Sequence, residues 1–165
     1  MEKIYIRELS IGDLVMNLYA NKPSRVKGLR TMFQDTYEII AISDGTQYML
    51  IEDNKELHNF EPIPLTAEIL EKNGFVREDY YYGVMDEEPC FDAYRCTIYK
   101  NGYKYDIELI DDCGEAFDLE ITHIETDEAG EEKTYTQLLK CLAIQHTHQL
   151  QHALRLAGIE KKIII

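Results

Sequence analysis

The dipeptide Asn101-Gly102 constrains this chain more than any other pair of residues in it. Asn-Gly suits a two-residue type I′ turn, because both central positions need a positive φ and the twist of that turn matches the twist of paired strands. The register that such a turn imposes can be worked out on paper. It pairs Ile98 with Tyr105, Cys96 with Ile107 and Tyr94 with Leu109 on one face. On the other face it pairs Tyr99 with Lys104, Thr97 with Asp106 and Arg95 with Glu108. One face is apolar and the other is charge-complementary, and a one-residue slip would destroy both properties. The pattern therefore predicts an antiparallel hairpin with one buried face. It also makes Asp106 and Glu108 ordinary solvent-side residues rather than a paired-carboxylate site.

The sheet continues beyond that hairpin. Asp111-Asp112-Cys113-Gly114 reads as the next turn, after which Phe117, Leu119, Ile121 and His123 alternate with Asp118, Glu120 and Thr122 in a third strand. His123 shares the apolar face, where a lone histidine reads as a hydrogen-bonded core residue. Residues 126–133 form an acidic loop, and Tyr135 to Leu142 read as a short strand or linker. The Tyr80-Tyr81-Tyr82 run reads as alternate tyrosines facing a core. The terminal residues 161–165, KKIII, are β-prone and are expected to return to the sheet edge.

The segment from Thr147 to Ile159, THQLQHALRLAGI, is the clearest helix. On a helical wheel His146, Leu150, Ala153, Leu154 and Ala157 share one side, and His148, His152 and Arg155 share the other. One face is expected to meet a core and the other water or a ligand. Gly158 supplies a C-terminal stop, with Arg155 in the last turn where a cation suits the helix dipole.

Upstream, Pro62 and Pro64 hold Ile63 extended, and Thr66 can cap a short helix that ends at Asn73-Gly74. A module boundary near Pro64 follows, giving a small β-rich module over 1–64 and an α+β module over 65–165. In the first module Leu14-Val15-Met16 reads as a strand after the Ile11-Gly12-Asp13 turn. Tyr37 to Ile42 and Gln47 to Ile51 flank Ser43-Asp44-Gly45-Thr46, a second hairpin signal. Residues 21–30, NKPSRVKGLR, carry four basic side chains, a proline and a glycine, and read as a loop. Short strands and a basic loop suggest an SH3-like half-barrel. The fold class is thus α+β: an N-terminal SH3-like β module, then an antiparallel sheet with a short linking helix and a C-terminal helix.

Charge narrows the partners. The formal net charge is −14, but residues 61–132 hold twenty-one acids against five bases, whereas 133–165 hold one acid against five bases. A middle third that negative repels phosphate backbones, so nucleic acid is disfavoured as a partner, and most of the charge reads as a solvated face. The basic C-terminal segment beside the acidic middle suits a self-contact, and hence a homo-oligomer. The charged N-terminus lacks the apolar stretch of a signal peptide and no apolar run approaches a membrane span, so the expectation is a cytoplasmic protein with no membrane partner. Cys90, Cys96, Cys113 and Cys141 form no CxxC pair and read as reduced thiols.

No phosphate-cradling glycine loop, nucleophile elbow or HExxH pattern is present, so no catalytic residue, metal ligand set or cofactor is assigned. Lys22, Arg25, Lys27 and Arg30 make the best candidate anion-binding cluster, joined by His148, His152 and Arg155 on the polar helix face.

Three stretches carry a resemblance: REL-x-IGDLV at 7–15, PIPLT at 62–66 followed by a helix and Gly74-Phe75, and above all HQLQHALRLAGIE at 148–160. Together they resemble a family of small proteins encoded by phages, prophages and genomes of gut Bacteroidota. The family brings no established catalytic site to carry over. What the resemblance implies is a phage-borne accessory protein in a bacterial cytoplasm, of a kind that acts by binding. The leading expectation is a non-enzymatic binding protein that sequesters an anionic, nucleotide-like immune signal to counter host defence. A second reading is a protein-interaction module whose acidic surface blocks a basic host or phage protein. A third is a metal-dependent hydrolase built on the histidine helix.

Overall fold

In the computed structural model the described residues are 4–32, 36–53, 57–80, 91–112, 116–126 and 132–165. They form two antiparallel five-stranded sheets and two short helices, an α+β architecture dominated by strands. The chain divides into two compact units. One comprises Met1–Pro64, His146–His152 and Ile165, the other Leu65–Gln145 and Ala153–Ile164. No helix of the described residues is long and apolar enough to cross a membrane.

The first unit holds β1 (Leu14–Asn17), β2 (Lys22–Thr31), β3 (Thr36–Ser43), β4 (Thr46–Asp53) and β5 (Phe60–Glu61), in the order β4-β3-β2-β1-β5. The β3–β4 hairpin closes at Ser43 and Thr46, with Asp44 at φ 49° and Gly45 at φ 78°, the type I′ turn expected there. Val15, Val26, Ile39, Ala41, Leu57 and Phe60 form the core with Ile4 and Leu9. At roughly 1.5–3 kcal/mol for each large apolar side chain fully buried, this cluster is the main stabilising term of the unit.

Residues 21–30 are not a loop: nine of them lie in β2, a strand with neighbours on both sides. Two features hide it in the sequence. Of the basic stretch only Ser24 and Val26 are fully buried, with Leu29 partly buried against the core, so there is little apolar alternation to read. A register shift between Val26 and Gly28 then breaks the two-residue period at Lys27. Pro23 is tolerated because the ladder with β3 begins only at Arg25, beyond the position where its missing N–H would count. Gly28 sits beneath Ile40, where an added Cβ would lie 3.3 Å from the Ile40 side chain.

The second unit begins with α1 (Ala67–Lys72). The Thr66 side chain caps it by accepting from the Ile69 N–H at 3.3 Å. Strands β6 (Val76–Tyr80), β7 (Phe91–Lys100), β8 (Tyr103–Asp112), β9 (Ala116–Thr126) and β10 (Glu132–Ile144) follow in consecutive antiparallel order. All six pairings expected for the Asn101-Gly102 hairpin are present, and both turn residues have positive φ, 54° and 82°. Tyr94, Cys96, Ile107, Leu109, Phe117, Leu119 and Ile121 are buried on its apolar face. Tyr94 meets Phe117 edge to face at 5.8 Å. His123 lies on that same face between Tyr103 and Tyr105, with ring centroids 4.4 and 5.4 Å away.

One expectation for this unit is extended and one is corrected. Residues 135–142 are a strand, but part of the long β10, whose register shifts at three places and so shows no clean alternation. The KKIII tail joins no sheet. Ile163 is buried, and the Asn73 side chain takes the place of a neighbouring strand: its Oδ1 accepts from the Ile164 N–H at 2.9 Å and its Nδ2 donates to the Ile164 carbonyl at 2.7 Å. Cys96 is a free, buried thiol. Cys90, Cys113, Tyr81, Tyr82 and most of the acidic 126–133 segment lie outside the described residues, as does the side chain of Cys141.

Helix α2 spans Thr147–Leu156. Its exit follows the Schellman pattern, with the Ile159 N–H donating to the Leu154 carbonyl at 2.8 Å and the Gly158 N–H to Arg155 at 2.9 Å.

Candidate functional site

The densest set of polar and titratable groups in the first unit surrounds Asp13. The turn before β1 folds because Gly12 takes φ 99° and the Asp13 carboxylate accepts from the Ser10 N–H at 2.7 Å. Backbone bonds tie the turn to β2: Gly12 N–H donates to the Val26 carbonyl at 2.8 Å, and Val26 N–H to the Asp13 carbonyl at 2.9 Å. The Arg25 guanidinium donates to the Gly12 carbonyl at 2.5 Å. Asp13 is thereby withdrawn from water, with 0% of its surface exposed. A buried carboxylate needs partners, and the His152 imidazole, part-exposed, supplies one with Nε2 2.7 Å from Oδ2. Gln151 adds a second tie from α2 by accepting from the Leu14 N–H at 3.0 Å.

These contacts overturn the expected split of α2 into an apolar and a watery face. His148, expected on the side of water or a ligand, is only 2% exposed, and Thr147 and Gln151 are buried as well. The helical wheel assigns polar residues to solvent, whereas here Asp13 and Leu14 offer polar partners to His152 and Gln151 inside the unit. Burial pushes the His148 pKa down from 6.5 to about 4. The Asp13 carboxylate opposes that push, and the charges of His146 and His152 add smaller effects in the direction of burial. His148 is therefore neutral near pH 7, and its buried Nδ1 has no hydrogen-bond partner among the described residues. The His146 ring stacks on it at 5.6 Å, and His152 approaches edge-on at 5.9 Å. Such an arrangement ties α2 to the turn through the Asp13–His152 contact and keeps His148 uncharged. Among the described residues no group of three His, Cys, Asp or Glu side chains is placed to hold a metal ion.

The structure thus gathers His148 and His152 around Asp13 and brings Arg25 to the same turn. It does not gather the other expected residues there. Lys22 is exposed and paired with Asp44 at 2.7 Å, a surface ion pair screened by solvent. Lys27 and Arg30 are exposed on β2 and form no ion pair among the described residues. Arg155 is exposed in the last turn of α2 and belongs to the second unit. Asp13 and Gln151 went unmarked in the sequence, because an aspartate in a Gly-Asp turn and a glutamine on a helix each read as solvent-facing.

The second unit carries a charged cleft of about 630 Å³ across β6 to β9. Arg95 bridges two strands there, donating to Glu78 at 2.6 Å and to Glu108 at 2.7 Å. Thr97 donates to Asp106 at 2.7 Å, and Lys104 lies 3.2 Å from the same carboxylate. With Glu120, the lining holds four carboxylates against two cations.

No family model, curated protein or solved structure matches the chain.

Proposed function

We propose that this is a non-enzymatic binding protein of the phage accessory kind, acting in the cytoplasm of a bacterial host, that sequesters an anionic, nucleotide-like small molecule and so blunts a defence signal. The observation that carries the reading is the pair Lys27 and Arg30: two exposed cations on one strand, without ion-pair partners among the described residues, in a chain of net charge −14. Cations held on a strand lose less freedom on binding an anion than cations on a loop. His148, being neutral, contributes no charge to such a site, and His152 serves Asp13 first. The resemblance of residues 7–15, 62–66 and 148–160 to phage-encoded proteins supplies the biological setting. The first unit is proposed to be SH3-like. Its strand order, with β1 between β2 and the short β5, supports that reading.

Native mass spectrometry of the gently purified protein, followed by denaturation, tests the proposal. A released mass in the nucleotide range is expected, lost in the Lys27→Glu, Arg30→Glu double variant, and the same spectrum reads the oligomeric state. Retention of that mass by the double variant would remove β2 as the site.

A second reading is favoured by the cleft over β6 to β9. Four carboxylates against two cations, on a sheet face that also exposes Val76, suit a basic segment of a host or phage protein. Binding of that kind weakens steeply with added salt and needs no small molecule.

A further inference from the structure

Beyond β2, we propose that the second unit carries a separate small-molecule site, at the end of the β7–β8 hairpin beside the C-terminal segment, that takes a nucleoside monophosphate. A cavity of about 400 Å³ opens there, lined by Ile98, Tyr99, Lys100, Ile159, Glu160 and Lys161. That volume lies within the range of roughly 300–1,000 Å³ usual for small-molecule sites. The lining has the three parts such a ligand requires.

The first is an aromatic face. Tyr99 is 77% exposed, the highest exposure of any aromatic residue among those described. Its register partner across the hairpin is Lys104, not another aromatic side chain, so its ring is left available to stack on a planar base. The second part is positive charge. Lys100 is anchored by donating to the Gly158 carbonyl at 2.8 Å, which uses one of its three N–H bonds and leaves two for a phosphate. Lys161, whose ammonium lies 5.9 Å from the centre of the Phe75 ring, is the second cation of the lining. The third is an apolar floor: Ile159 is 1% exposed and rigidly placed by the Schellman bond to Leu154. Glu160 at the rim can accept from an exocyclic amino group of the base. The anchored Lys100 separates this arrangement from an ordinary scatter of surface lysines.

The test is calorimetric titration of the full chain with AMP, in the wild type and in the Tyr99→Ala, Tyr99→Phe and Lys161→Glu variants. Tyr99 points to solvent, so neither of its substitutions should disturb the fold. Saturable one-to-one AMP binding is expected in the wild type and in Tyr99→Phe. Tyr99→Ala should bind on the order of tenfold more weakly or worse, the loss of one stacked base. Lys161→Glu should remove detectable AMP binding. Absence of AMP binding to the wild type overturns the proposal. AMP binding that survives Tyr99→Ala and Lys161→Glu unchanged also overturns it, while leaving anion capture elsewhere on the chain standing.

Discussion

Acid should destabilise this protein through His148, and the size of the effect follows from the structure. In the unfolded chain His148 takes up a proton below its ordinary pKa of 6.5, whereas burial delays protonation in the folded chain until about pH 4. Between those values the unfolded state binds more protons, so stability is full above pH 6.5 and falls as the pH drops towards 4. At 1.36 kcal/mol per pH unit, the interval from 6.5 to about 4 corresponds to about 3 kcal/mol, of which about 2 kcal/mol is lost by pH 5. The groups facing His148 are Asp13, His146 and His152, and Asp13 alone favours its protonated form. The perturbation is His148→Leu, which keeps similar volume, removes the titration and relieves the unpaired Nδ1. Urea unfolding followed by circular dichroism, at half-unit steps from pH 7.5 to 4.5, reads the result as the difference between wild type and variant. Other titrating groups are common to both and cancel. The variant should be as stable as the wild type or more so near pH 7, and its advantage should grow by about 2 kcal/mol on going to pH 5. Parallel curves across that range would refute the assignment of His148 as a buried neutral base.

Asp13→Ala leaves His152 without its buried partner and the Ser10 N–H without an acceptor, and should cost about 2–4 kcal/mol by the same unfolding assay. Thr66→Ala removes the cap of α1 and should lower stability by about 1 kcal/mol, with Thr66→Ser recovering most of it. Gly102→Ala forces a side chain into φ 82° and should cost about 1–2 kcal/mol, whereas Val76→Ala on the exposed face of β6 should change stability by less than about 0.5 kcal/mol. Asn73→Ala removes both bonds to Ile164 and should raise amide exchange at Ile164 and its neighbours before the sheet itself is affected.

The division between what could and could not be read follows the range of the interactions. The Asn101-Gly102 hairpin with its register, the Asp44-Gly45 hairpin and the capped helix after Thr66 are determined by the sequence itself, because a turn, a cap and a two-residue alternation each lie within a few positions of one another. The strand at residues 22–31 was not legible. A bulge at Lys27 and a mostly polar composition erase its period, and only pairing with β1 and β3 makes it a strand. The tail was misread for a similar reason: its hydrogen-bond partner is a side chain, Asn73, 91 residues away. The candidate site shows the same limit most clearly. The histidines are visible in the sequence and their helical spacing is right, but the burial of His148 and the bond of His152 to Asp13, 139 residues away in the chain and 2.7 Å away in space, are tertiary. Local sequence sets the secondary structure of each short segment. Burial, and with it the charge a histidine carries, is decided by tertiary neighbours that supply or withhold water.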